Sequence, residues 1–112
     1  VTATPEFAAP LATLLADVLR ITGEIGARGQ ADADELGAAA TPYLRLLGHL
    51  AYAWLWARMG TLALAHPVDA FHRAKLATAR FYFARLLPET AMLLVQASGR
   101  ASDMMAIDGD AI

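Results

Sequence analysis

The chain has 112 residues, 57% of them hydrophobic and 18% charged, with a formal net charge of −2. Ordinary globular domains are about half apolar and a quarter charged, so this sequence is apolar for its size. The balance excludes a global basic field for nucleic acid or anionic lipid, and the absence of cysteine excludes disulfides, thiolate chemistry and cysteine-ligated metals. The length fits one domain, residues 1–112, with a single core. A start without Met points to a piece of a longer chain, and VTATPEF has no export signal, which places it in the cytoplasm.

Phe7, Leu11, Leu14, Val18, Ile21 and Ile25 alternate steps of four and three, the apolar stripe of a first helix. Thr4-Pro5 suits its N-cap and first turn, with a start anywhere from Pro5 to Pro10, while Asp17, Arg20 and Glu24 mark its wet side. Gly26 and Gly29 are expected to end it, leaving Gly26 to Asp34 as a loop. Asp32 or Asp34 then caps a second helix, with Glu35 favouring its positive end. Pro42 sits in an early turn or splits off a short leading helix, and the main run extends from Tyr43 to about Ala65. Its core stripe is read as Tyr43, Leu47, Leu50, Ala51, Trp54 and Leu62. His49, Tyr52, Trp56 and Met59 lie opposite. Arg58 near the middle of Leu46–Ala65, together with His49, argues against a membrane span.

His66-Pro67 breaks the chain and Asp69 starts a third helix after a short connection, which makes neighbours antiparallel. Its core stripe is Leu76, Ala79, Phe83, Leu86, Thr90, Leu93 and Ala97, with Ala77, Phe81, Ala84, Pro88 and Met92 on the other side. Pro88 should bend or interrupt it, Gly99 ends it, and Ser102-Asp103 caps a last turn through Met104 and Met105. The expected fold is all-α: an antiparallel, up-down-up bundle of three long helices with a short C-terminal helical turn. The second and third helices each carry two apolar faces, more than three helices can bury, and this surplus predicts a partner surface.

Chemistry is scarce. Ser98 and Ser102 have no histidine nearby, and the carboxylates cluster at caps and in the tail, so no catalytic, cofactor or metal-ligating residue is assigned. His66, Asp69 and His72 lack a fourth metal ligand. In FHRAKLATARFYFARLLPE, Arg73 and Arg80 share one flank, Arg85 takes the other, and Lys75 leans inward. Phe81 and Phe83 point apart, so there is neither a basic stripe nor a stacking platform for nucleic acid. Arg80 and Arg85 are expected to reach acids on a neighbouring surface.

AKLATARFYFARLLPETAMLL (Ala74–Leu94), PYLRLLGHLAYAWLWARM (Pro42–Met59) and the tail SDMMAIDGDAI resemble the C-terminal helical domain of one acyl-CoA dehydrogenase branch, the 3-methylmercaptopropionyl-CoA dehydrogenase-like enzymes. The resemblance implies a parent flavoprotein that oxidises acyl-CoA to 2,3-enoyl-CoA with FAD and a glutamate base, both held outside this chain. It implies docking on the dehydrogenase core or a second subunit of a homo-oligomer. The docking face is read as His49, Tyr52, Trp56, Phe81 and Arg85, with Arg73 or Arg80 reaching a phosphate of bound CoA. The rival reading is a free-standing helical interaction module.

Overall fold

A computed structural model describes residues 3–112, all of its regular structure helical. Helix α1 (Pro5–Ala31) and helix α2 (Asp34–Leu64) are joined by two residues. Helix α3 (Ala70–Phe81) passes through a π-helical turn (Tyr82–Leu86) into α4 (Glu89–Ser98). Helix α5 (Ala101–Met105) and a 3₁₀ turn (Gly109–Ala111) close the chain.

The stripe on α1 packs as its spacing requires, with Phe7, Leu14, Val18, Ile21 and Ile25 buried. The glycine stop does not hold. The helix continues through Gly26 and Gly29, neither of which has a positive φ, and ends where Asp32 turns extended. Gly29 serves a different purpose, because a Cβ there would collide with the Leu36 side chain of α2. Pro42 likewise lies inside a continuous α2.

Helix α2 meets α1 in reversed direction. The Thr4 N–H donates to Thr61 Oγ1 at 3.1 Å, the hydroxyls of Thr22 and Tyr43 lie 2.6 Å apart, and Arg28 reaches Glu35 at 3.5 Å. Its rotation corrects the sequence reading. Leu47, Ala51, Trp54 and Leu62, expected inside, are exposed, whereas Ala39, Leu46, Ala53, Ala57, Gly60 and Ala63 are buried. Small residues let the backbones approach, and the large side chains of α1 fill the space; Phe7 sits directly against Gly60. Leu47, Trp54, Leu55 and Leu62 are thereby turned outward.

The expected third long helix is divided in two. Pro88 has no N–H, and its ring would clash with the Ala84 carbonyl in a regular helix. The chain instead widens by one residue, with the Leu87 N–H donating to the Tyr82 carbonyl at 2.9 Å. That extra residue shifts the register, so Leu87 is buried and Leu86, expected in the core, is 48% exposed. Asp69 caps α3 by accepting from the Phe71 N–H at 3.0 Å. Ser102 does not cap the last turn; the Ala101 N–H donates to Glu35 of α2 at 3.1 Å.

The result is a long, thin body of 63 × 30 × 14 Å with a radius of gyration of 18.0 Å. A compact chain of this length has a radius of about 13 Å. Its accessible surface is 7152 Å², against roughly 5,900 Å² for a compact monomer of this mass.

Candidate docking surface

Three polar locks tie the helices together. At the α2–α4 seam, His49 Nδ1 lies 2.8 Å from the Tyr82 hydroxyl, which also donates to the His49 carbonyl at 3.1 Å. His49 Nε2 donates to Glu89 at 2.9 Å, and Arg45 donates to the same carboxylate oxygen at 2.7 Å. Arg45 first, and His49 second, hold the Glu89 carboxyl below its ordinary range. Loss of hydration pushes the Tyr82 hydroxyl up to about 12, helped by Tyr52 and Glu89.

At one end of the body Glu35 is 4% exposed. It accepts from Arg100 at 3.0 Å and from the Ala101 N–H at 3.1 Å, with Arg28 at 3.5 Å. The Arg100 bond leads in keeping its carboxyl low. At the other end Arg80 donates through Nε and a terminal nitrogen to both oxygens of Glu6, at 2.6 and 3.0 Å, and lowers the Glu6 carboxyl in turn. Asp69 is held low by His72, then by the Phe71 N–H.

The residues expected at a partner face therefore separate. Tyr52, Phe81 and Arg85 are exposed. His49 is largely covered within the α2–α4 seam, and Trp56 is half-buried against the core clusters of α1 and α3. The two arginines expected to reach CoA are engaged within the chain. Arg80 pairs with Glu6, and Arg73 donates to the Val68 carbonyl at 2.7 Å and the Pro67 carbonyl at 3.4 Å. Arg80 does reach an acid, but on α1 of its own chain.

Two apolar faces remain open. One follows α3 and α4 through Ala77, Phe81, Ala84, Pro88, Met92 and Val95, with Phe81 56%, Met92 53% and Val95 74% exposed. The other is the outer side of α2, where Leu44, Leu47, Leu55 and Leu62 are 69%, 39%, 45% and 50% exposed. The sequence reading missed Leu44 and Leu55. The signal lay in the small residues at Ala53, Ala57 and Gly60, which mark the close-packed side and so identify its opposite.

Among the described residues, no group of three or more His, Asp or Glu side chains is placed to hold a metal ion. No helix there is long and apolar enough to cross a membrane. The shallow groove between α2 and α4 is lined by Arg45, Gly48, His49, Tyr52 and Glu89. Its charged groups already satisfy one another, so they do not fit a flavin or a CoA phosphate.

Fold and surface together define a thin helical body, tied by ion pairs between its helices, with two apolar sides uncovered. The chain belongs to the family described as acetyl-CoA dehydrogenase C-terminal like, whose profile matches residues 1–108. No curated protein and no solved structure gives a significant match.

Proposed function

We propose that this chain is the accessory C-terminal helical domain of a flavin-dependent acyl-CoA dehydrogenase, an up-down-up arrangement of α1, α2 and α3–α4 that docks on the catalytic core. The family assignment supports the parent class. The observation that carries the docking role is the uncharged stretch of α3–α4 from Phe81 to Val95, interrupted only by Arg85 and Glu89, of which Glu89 is turned into the α2–α4 seam. An apolar face of this length, left in water, is an association surface. Phe81, Met92 and Val95 supply its apolar contacts, with Tyr52 and Arg85 at its rim.

In this reading FAD, the base that removes the α-proton of the acyl-CoA, and the acyl pocket all belong to the core, in the cytoplasm. The chain contributes stability and placement and takes no chemical step. Arg73 and Arg80 act structurally, as their internal partners indicate.

The double variant Phe81→Asp/Met92→Asp tests this in the complete dehydrogenase polypeptide. Both side chains are exposed here, so the isolated 112-residue chain should keep its helical circular dichroism and melting temperature. The complete enzyme should melt earlier and be cut by protease at the domain junction. Unchanged melting of the complete enzyme would overturn the assignment of this face.

A further inference from the structure

The net charge of −2 conceals a division along the long axis. The Ala101 N–H bond to Glu35 sets α5 at the end where α2 begins. Asp32, Asp34 and Asp103 gather there, with no ion-pair partner among the described residues. The other end is the turn between α2 and α3, where the acids are engaged, Asp69 with His72 and Glu6 with Arg80. Arg58, Arg73 and Lys75 have no acidic partner among the described residues, which leaves this end net positive. The body is 63 Å long. Salt screens exposed charges over about 10 Å, so the acidic end does not cancel the basic one.

The basic end also projects apolar side chains. Thr4 bonds to Thr61, so the last turn of α2 and the connection after it stand beyond the start of α1. There Val68 is 89% and Phe71 63% exposed, with Leu64, Ala65, Pro67 and Ala70 exposed around them. A cation stands beside each of the two larger groups. The Arg73 guanidinium donates to the Val68 carbonyl at 2.7 Å, and the Lys75 ammonium lies 5.3 Å from the centre of the Phe71 ring. At a bilayer such pairs separate by depth, with the apolar groups at the acyl boundary and the cations among the phosphates.

The backbone of the turn is prepared for a medium without water, where an unpaired peptide group is costly. The His66 N–H donates to the Ala63 carbonyl at 3.0 Å, and the Arg73 N–H to the Asp69 carbonyl at 2.9 Å. The Asp69 carboxylate turns back onto the Phe71 N–H and His72, and Arg73 also covers the Pro67 carbonyl. A protein partner can supply missing hydrogen bonds itself. Hydrocarbon cannot.

We propose that the α2–α3 turn is a membrane-contact tip: Val68 and Phe71 enter the surface of an anionic bilayer, and Arg73 and Lys75 hold its phosphates. The contact is peripheral, and Arg58, further back on α2, adds to the attraction. The inference rests on this turn alone and not on the docking role of α3–α4.

Sucrose-loaded vesicles test it with the 112-residue chain. The chain should sediment with vesicles of equal parts phosphatidylcholine and phosphatidylglycerol, and not with phosphatidylcholine alone. Lys75→Gln should lower the affinity about fivefold, the worth of one cation beside an anionic surface. Val68→Asp/Phe71→Asp should abolish sedimentation with circular dichroism and melting unchanged, because both side chains are exposed. Phe71→Trp should keep binding, and brominated lipid should quench its emission beyond the level of Trp54 and Trp56 in the parent chain. Phe81→Asp/Met92→Asp should bind vesicles as the parent does, so this inference and the docking reading can fail separately. A chain that does not sediment with the mixed vesicles would overturn the inference and leave the basic end to an acidic protein surface. Sedimentation that Val68→Asp/Phe71→Asp leaves intact would overturn it too.

Discussion

Phe7→Ala is expected to lower the unfolding free energy by about 3–5 kcal/mol, a large share of the 5–15 kcal/mol typical of a domain. Phe7 is 1% exposed, its ring centroid is 5.1 Å from that of Phe83, and among the described residues it clusters with buried Ala57 and Ala79, with Leu11, Trp56 and Leu76 packed against the cluster. Ala57 and Ala79 are too small to fill the space, so a cavity term adds to the lost transfer energy. The same contact explains why Gly60 must stay small. A Cβ there would lie 2.5 Å from Phe7 Cε2, inside a ring held by Phe83. Gly60→Val is therefore expected to cost about 1–3 kcal/mol through overpacking. Urea unfolding followed by circular dichroism measures both. A loss under 1 kcal/mol for Phe7→Ala would mean that α1 and α2 are not joined through this seam.

Acid is expected to dismantle the locks in order of their coupling to the fold. The carboxyls of Glu6, Glu35 and Glu89 all lie below their ordinary value of 4.5 in the folded chain. The sign follows directly: a depressed carboxyl binds fewer protons folded than unfolded, so it stabilises the fold at higher pH. That contribution is full above about pH 5 and disappears as the pH falls through the folded values. Glu35 matters most, because one carboxylate joins Arg28 of α1, Arg100 and the first N–H of α5. Glu35→Gln should melt below the parent chain at pH 7, and the two melting temperatures should converge as acid protonates the parent carboxylate as well. Parallel curves from neutral pH to acid would show that the Glu35 charge does not hold this end together.

The helical class, the α1 stripe, the Asp69 cap and the interruption at Pro88 were legible because each rests on local chemistry that no neighbour overrides. The rotation of α2 was not. Weighting by size placed Leu47, Trp54 and Leu62 inside, but close packing against α1 selects Ala53, Ala57 and Gly60 for the interior and leaves the large residues outside. The same misreading counted His49 and Trp56 as surface, when His49 is held in a polar seam and Trp56 leans on both core clusters. Leu86 was misplaced for a different reason. A π-helical turn inserts one residue into the period, and 3.6-residue spacing beyond it points to the wrong side chain. The surplus of apolar surface survived these errors, because it depends on how much such surface the chain carries and not on which face holds it.

Hydroxyl-radical footprinting of Phe81 and Met92, in the 112-residue chain and in the complete dehydrogenase polypeptide, tests the docking claim most directly. Both side chains stand more than half exposed here, so both should be oxidised readily in the isolated chain and strongly protected in the complete enzyme. Equal oxidation in the two would contradict it, since the α3–α4 face would then remain in water with the core present.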